Sequence, residues 1–405
     1  MTPGEFLLLV LAWLLLAATL LMLVFRAVIT KAVLEPVLRH PVFIIESDDW
    51  GFGPLEQAER LKALATLLAR FRNGSGRCPV MTLGVVLAGP DTARIAANGC
   101  REYVRTGLSN SDLAIVRDAM FEGTAKGVFA LQLHGLEHFW PPSLMKVATS
   151  NEFAARWLTG PALPQTEDLP AHLQSRWIDA SALPSQALSP DDIAAAVHQE
   201  IQAFSETFGH PAEVVVPPTF VWNMEVEHAW IRHGIRCVVT PGCRYEHRGV
   251  DGKLVRGQPL FHNGERGPDG LRYVVRNDYF EPQLGHSSAD ALLSVDRSTR
   301  LGRPTLFETH RFNFLGMNGE AAMRELESLV RHVLEKYPEV VFLSTRELAA
   351  CYATSSDLLE TRLARRLHCI IERLREQSRL YKLAWLTGIV LPAWMLWRFT
   401  AVRQT

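Results

Sequence analysis

The chain has 405 residues, 48% of them hydrophobic, and a formal net charge of -1. That length buries a substantial core in one large domain or two ordinary ones, and the near-neutral charge offers no basic field to nucleic acid. Six cysteines are scattered without CxxC spacing, which speaks against a disulfide scaffold and a cysteine zinc site and suits a reducing compartment.

Phe6 to Phe25 runs twenty residues without a charge. At ~1.5 Å per residue this covers a hydrocarbon core of ~30 Å. A cleaved signal carries a basic start and a small-residue cleavage site, whereas only Glu5 is charged before this run. Residues 6–25 therefore read as a retained transmembrane anchor. Arg26, Lys31 and Arg39 follow it.

Pro41–Asp49 is a buried strand by its β-branched run, and Leu55–Phe71 has helical spacing of Leu and Ala. Val80–Ala88 and Val128–Leu133 read as strands, with a helix over Ser111–Ala125 between them. Phe139–Ser189 breaks this rhythm with Trp140, Trp157 and Trp177 among six prolines. It is too long for a simple connection and reads as a substrate-covering loop with aromatic platforms. Ser189-Pro190-Asp191-Asp192 then caps a helix expected to reach about Phe208.

Further strands are expected at Glu213–Pro217, Ile235–Thr240, Leu271–Val275, Thr305–Glu308 and Val340–Leu343. Helices fit Met224–His233, Ala289–Arg297 and Glu320–Tyr337. Repeated alternation implies an α/β fold, a parallel sheet with crossover helices forming a closed or nearly closed barrel over residues 41–350.

Residues 358–382 form a basic amphipathic pattern, with Arg362, Arg365, Arg366, Arg373, Arg375, Arg379 and Lys382 around a leucine-rich face. Beside an apolar segment this predicts an interfacial helix on anionic lipid. That segment, residues 383–399, contains Gly388 and Pro392 and is short for a span, so it crosses, re-enters or lies in the interface. Basic flanks on the domain side of both segments place the domain on the cytoplasmic face of a bacterial-type inner membrane.

Four strings carry chemistry. Asp48 and Asp49 end the first strand in ESDDWG, where two buried acids cost several kcal/mol unless something pairs with them. His134 and His138 follow another strand in LQLHGLEHF, and Glu308, His310 and Arg311 close a third in TLFETHRFNF. In VVVPPTFVWN, Pro217-Pro218 stand where a strand must stop. Strand ends are where barrel enzymes assemble their sites, and one carboxylate with two imidazoles leaves a metal one position for water. Trp50 and Trp140 flank the first two strings as candidate substrate contacts.

In this order the strings resemble the motifs of the polysaccharide deacetylases of the NodB-homology group, over roughly Pro41 to Ala350. The resemblance implies a (β/α)7–8 barrel and a divalent metal, expected to be zinc, on Asp49, His134 and His138. It makes Asp48 the general base and His310 the acid that protonates the departing amine. The implied reaction is removal of an acyl group, N-acetyl above all, from a polysaccharide or lipid-linked sugar.

Two motifs depart from the pattern. The family's third motif carries an Arg that orients the base, and none stands beside Val216, so Arg311 or Arg276 would have to reach it through space. The fourth is not recognisable, and Asp278 in VVRNDYFEP is the expected acidic partner of His310. Glu137 is expected to support the metal ligands. Two alternatives stay open: an inactive barrel serving as a glycan-binding scaffold, and an inverted zincin protease through the H-x-x-E-H string, with Glu137 as base.

Overall fold

The computed structural model describes residues 1–402 apart from 161, 277 and 355. Its main sheet contains β1 (Val42–Gly51), β2 (Met81–Val86), β3 (Phe129–Leu133), β4 (Val214–Val215) and β5 (Cys237–Thr240). It continues with β6 (Arg272–Val275), β7 (Asp278–Tyr279), β8 (Thr305–His310) and β9 (Val341–Phe342). The strand order is β6-β5-β4-β3-β2-β1-β8-β7, and β9 adds to the start of β1. Every pairing is parallel.

The sheet curls, and its two ends show why. β6 and β7 lie at opposite ends of the order, yet three residue steps separate Val275 from Asp278, at most about 11 Å of chain. The Arg276 amide extends the ladder to the Thr240 carbonyl (2.8 Å), and the Phe280 amide bonds the Glu308 carbonyl (2.8 Å). One stretch of chain therefore pairs with β5 through its first half and with β8 through its second.

Period-two alternation sorts the side chains. Val42, Ile44, Val214, Val239, Val274 and Leu306 form an apolar cluster on one face, while Phe43, Ile45, Val215, Val238, Tyr273 and Phe307 belong to the larger core under the helices. Continuing the first set up β1 and β8 gives Glu46, Asp48, Glu308 and His310. The register places Glu46 beside Glu308 and Asp48 beside His310. The interior is thus apolar where the strands begin and charged where they end.

The helix over Pro190–Phe208 starts and stops where its sequence directs. The Ser189 hydroxyl accepts from the Asp192 amide (3.1 Å), and Gly209 ends the helix in the left-handed conformation. The Phe139–Ser189 insert departs from expectation. It folds into short helices over Pro141–Ala148 and Glu152–Thr159. Trp157 packs with Phe139 and Leu158 in a satellite core, and Trp177 meets Trp230 edge-on at 5.5 Å. Neither ring is a platform, because both are needed to fill the interior. An antiparallel hairpin, Cys243–Arg248 with Leu254–Leu260, was also not legible in the alternation.

Pro3–Val24 is the one helix among the described residues long and apolar enough to cross a membrane. The second apolar segment divides into helices over Ser378–Leu386 and Val390–Val402, with Gly388 left-handed between them. The Trp13 indole donates to the Thr387 carbonyl at 3.1 Å. The basic helix forms over Leu363–Arg375, but Arg373 does not face lipid. Only 2% exposed, it donates to the carbonyls of Ala32, Glu35, Pro36, Leu301 and Gly302. Arg300 reaches across to Glu372 (2.5 Å) and Arg297 to Glu376 (2.7 Å). This helix clamps the neck after Pro3–Val24 to the domain, while Arg366, Arg379 and Lys382 stay exposed.

Arg373→Met leaves these buried carbonyls without their donor, while Glu35 keeps Arg303 at 2.6 Å. It is expected to lower the unfolding free energy by about 3–5 kcal/mol, the scale for losing one partner of a buried pair. Arg366→Met on the exposed face should change it by less than about 0.5 kcal/mol. Urea unfolding of the full chain in detergent, followed by tryptophan fluorescence, checks both.

Candidate active site

The first motif depends on a bulge. In the β1–β2 register Ser47 faces Leu83 and Trp50 faces Val85, so Asp48 and Asp49 together oppose Gly84. Strict alternation would turn Asp49 away from the face that Asp48 occupies. Instead Asp49 takes a left-handed backbone, φ 71°, and its carboxylate joins that of Asp48 among the same histidines. Gly84 is required here, since a Cβ would lie 2.2 Å from Asp48 Oδ1. The Trp50 indole donates to Ser47 Oγ (2.8 Å) across the bend, and its ring is fully buried against Phe314. Trp50 is therefore core and not a substrate contact.

The second motif supplies two imidazoles from the loop after β3. His134 Nδ1 donates to the Val216 carbonyl at 2.8 Å, which leaves Nε2 as its lone-pair nitrogen. That Nε2 lies 3.4 Å from Asp49 Oδ1, and the Nε2 of His138 lies 3.5 Å from the same oxygen. One ligand atom from each of the three residues falls within 4.8 Å of the others. Atoms bound to a tetrahedral ion at 2.0–2.1 Å lie about 3.3 Å apart, so the spacing fits. His138 Nδ1 and Asp48 Oδ1 are buried without a hydrogen-bond partner. Burial takes the His138 imidazole down to about 4, so a neutral ring is available. Against burial, His138 and His134 hold the Asp49 carboxyl well below the usual range. Pro217 and Pro218 end β4, and Pro218 packs against Gly135, where a Cβ would sit 3.2 Å from its ring.

Glu137 turns away from Asp49, His134 and His138. It is completely buried between Arg105 and Arg176, the latter at 2.6 Å. The His134–His138 stretch is not helical, so the H-x-x-E-H protease geometry does not form.

Arg276, not Arg311, reaches Asp48. Its guanidinium contacts Asp48 Oδ2 at 2.7 Å, Glu46 Oε2 at 3.0 Å and Glu308 Oε2 at 3.3 Å. It lies 5.1 Å from the Phe220 ring centroid, and Phe220 itself has a left-handed φ of 55°. Burial works against the Asp48 carboxylate, but Arg276 with His134 and His310 outweighs it and lowers the pKa. Glu46 and Glu308 go the other way, because burial exceeds what Arg276 returns to them. Arg311 instead forks onto Glu167 with two 2.8 Å contacts and donates to the Phe52 carbonyl at 2.7 Å. It straps the insert across the site.

His310 is paired with Glu281, not Asp278. Its Nδ1 lies 2.6 Å from Glu281 Oε1, and Asn313 donates to the other carboxylate oxygen. Burial opposes the charged ring, yet Glu281 and Asp49 raise it to about 10. Asp278 faces the helix over Ser288–Leu301, within 3.4 Å of Ser298 Oγ, and burial raises its pKa. Of the residues missed in the sequence, Glu46 was findable as the same-face neighbour two positions before Asp48. Glu281 lies in a loop and Glu167 in a single 3-10 turn, Thr166–Asp168, and neither gives a periodic signal.

The family model for glycosyl hydrolase family 57 matches residues 177–345. That stretch holds Arg276, Glu281, Glu308 and His310 but not Asp48, Asp49, His134 or His138. No curated protein matches the chain. Among solved structures, a 4-alpha-glucanotransferase from Thermococcus litoralis is similar at TM-score 0.40 and 9% identity, covering 77% of this chain and 40% of that enzyme. A family 4 carbohydrate esterase from Streptomyces lividans gives 0.33 and 11%, over 72% of this chain and 88% of the other. A peptidoglycan deacetylase from Bacillus subtilis gives 0.34 and 8%, over 77% and 91%. These are carbohydrate-active enzymes, and at such identities the residue roles rest on this chain's own geometry.

Arg276→Met removes the guanidinium that contacts Glu46, Asp48 and Glu308 together, with an expected loss of about 3–5 kcal/mol. Carboxyls raised in the folded state stabilise it below their unfolded pKa, and that contribution is lost as pH rises. The deficit should therefore be smaller at about pH 5 than at about pH 8. Urea unfolding at the two pH values checks the sign.

Proposed function

We propose that this chain is a metal-dependent deacylase acting on an acylated, most simply N-acetylated, sugar unit of a glycan. The observation that carries this reading is Asp49 Oδ1 lying 3.4 and 3.5 Å from two histidine Nε2 atoms. Asp48 and His310 stand beside each other in the register next to it. The curled sheet is read as a deacetylase-type barrel whose two edges are joined through Arg272–Val275 and Asp278–Tyr279.

Asp49, His134 and His138 would hold a divalent cation, zinc by the donor set. Such an ion supplies Lewis-acid polarisation of the acyl carbonyl and a lowered pKa for water. Asp48, kept ionised by Arg276, takes the proton from the attacking water. His310, kept protonated by Glu281, gives a proton to the departing amine. Arg276 positions Asp48 as the arginine of the family's third motif would, from a different strand.

Residues 3–24 are proposed to anchor the domain at a membrane, which bears on the substrate. β1 leaves the neck at Val42, and Asp48 lies six residues further on, about 20 Å at ~3.3 Å per residue. The site opens at the end away from the neck, so the glycan arrives from the aqueous side. Of the two expected substrates, a polysaccharide or a lipid-linked sugar, this placement favours the polysaccharide.

A second reading, glycoside cleavage by paired carboxylates, is favoured by the family 57 match over residues 177–345. Two products separate the readings. With acetylated chito- and xylo-oligosaccharides, deacylation releases acetate and no new reducing ends, and chelator abolishes it. New reducing ends without acetate, indifferent to chelator, would establish the glycosidase. Asp49→Ala is expected to lose both metal and turnover. Asp48→Asn and His310→Gln should keep the metal while the rate falls by roughly 10²–10⁴, the scale of general acid–base catalysis. Metal content beside initial acetate release for each purified variant checks these roles.

A further inference from the structure

A second concave feature lies at the same end of the sheet and takes no part in the chemistry above. It is a cavity of about 530 Å³ lined by Arg101, Tyr103, Arg105, Trp140, Met145 and Arg176 among others. The Arg101–Arg105 wall belongs to the connection after β2, and Trp140 stands two residues beyond His138 in the loop after β3. The Cα atoms of His138 and Trp140 are thus within about 7 Å.

The walls have contrasting chemistry. Trp140, half-buried, with Pro141, Pro142 and Met145 makes an apolar side. The other side carries three guanidinium groups. Arg176 is 1% exposed and shared between Glu137 (2.6 Å) and Glu200 (3.2 Å). Arg105 is paired with Glu137 and lies 6.0 Å from the Tyr103 ring centroid. Arg101 is exposed and makes no ion pair among the described residues. Glu137 is completely buried behind the two arginines it binds. Asp192, the one carboxylate on the wall, accepts from Ser189 Oγ at 2.7 Å.

We infer that this cavity is a binding subsite for a negatively charged sugar, a glycan unit bearing a carboxylate. Trp140 would cover the apolar face of the ring, while Arg101 and Arg105 take the anionic substituent. Guanidinium forks match a carboxylate bidentately, and an aromatic face offers area without a competing polar group. Glu137 fixes the direction of Arg105 and Arg176 before any ligand arrives, so little order remains to be imposed on binding. The choice of a sugar as carrier of the charge rests on the carbohydrate-active reading above, whereas the preference for an anion does not.

Titration calorimetry on the full chain in detergent tests the inference with three probes: tetragalacturonate, its fully methyl-esterified form, and inorganic phosphate. Tetragalacturonate is expected to bind at least about tenfold more tightly than the ester. Arg101→Gln and Trp140→Ala should each weaken it about tenfold, while Asp49→Ala leaves it unchanged. Equal binding of acid and ester would overturn the charge preference. Phosphate competing at the tetramer's affinity, insensitive to Trp140→Ala, would overturn the sugar. Loss of binding in Asp49→Ala would place the ligand at the metal site and sink the subsite. If the chain releases no acetate and keeps no metal but tetragalacturonate binding follows Arg101 and Trp140, the deacylase reading fails and this one stands.

Discussion

The guanidinium of Arg276 is what allows Glu46, Asp48 and Glu308 to share the interior of one sheet. An unpaired charge there costs several kcal/mol, and one cation cannot neutralise three carboxylates. Arg276, helped by His134 and His310, decides the outcome in favour of Asp48. Asp48, at 2.7 Å, is held ionised, while Glu46 and Glu308 are driven towards the neutral form by burial. Arg276 is also the residue at which the chain passes from pairing with β5 to pairing with β8. The step that brings the edges of the sheet together thus delivers the charge that sets the proposed base.

Backbone strain gathers around the same point. Asp49, Thr219 and Phe220 all have left-handed φ values without being glycine, a conformation that persists only where surrounding contacts hold it. Each has such a contact. Asp49 turns its carboxylate to His134 and His138, Thr219 bonds Ser175 at 2.7 Å, and Phe220 lies under Arg276. Arg311 adds a strap through Glu167. Its approach needs Gly53, where a Cβ would come within 2.3 Å of Nη1.

The two ends of the strands serve different purposes through the same device, a buried arginine on carbonyls or carboxylates. Arg373 gathers backbone carbonyls from the neck and from the turn before β8, fixing the terminal helices to the domain. Arg276 gathers carboxylates at the opposite end. Between them the interior is aliphatic, which keeps the charged cluster in a low-dielectric setting where its contacts are strong.

The sequence by itself determined what depends on neighbours along the chain. Alternation marked the strands, Ser189 and Pro190 set the start of their helix, and the motif residues Asp48, Asp49, His134, His138 and His310 stood at strand ends. Tertiary structure alone decided which partners meet. Arg276 and not Arg311 reaches Asp48, and Glu281 and not Asp278 reaches His310. Trp50, Trp157 and Trp177 went to the interior, Glu137 turned from His134 and His138 to Arg105 and Arg176, and Arg373 left the lipid face for the neck. The reason is reach. A strand's period fixes the face from which a side chain departs, but a long side chain spans several residues' worth of space, and its partner comes from elements tens to hundreds of positions away. Which of two nearby acids or arginines makes the contact is set by the curl of the sheet, and no local pattern records that.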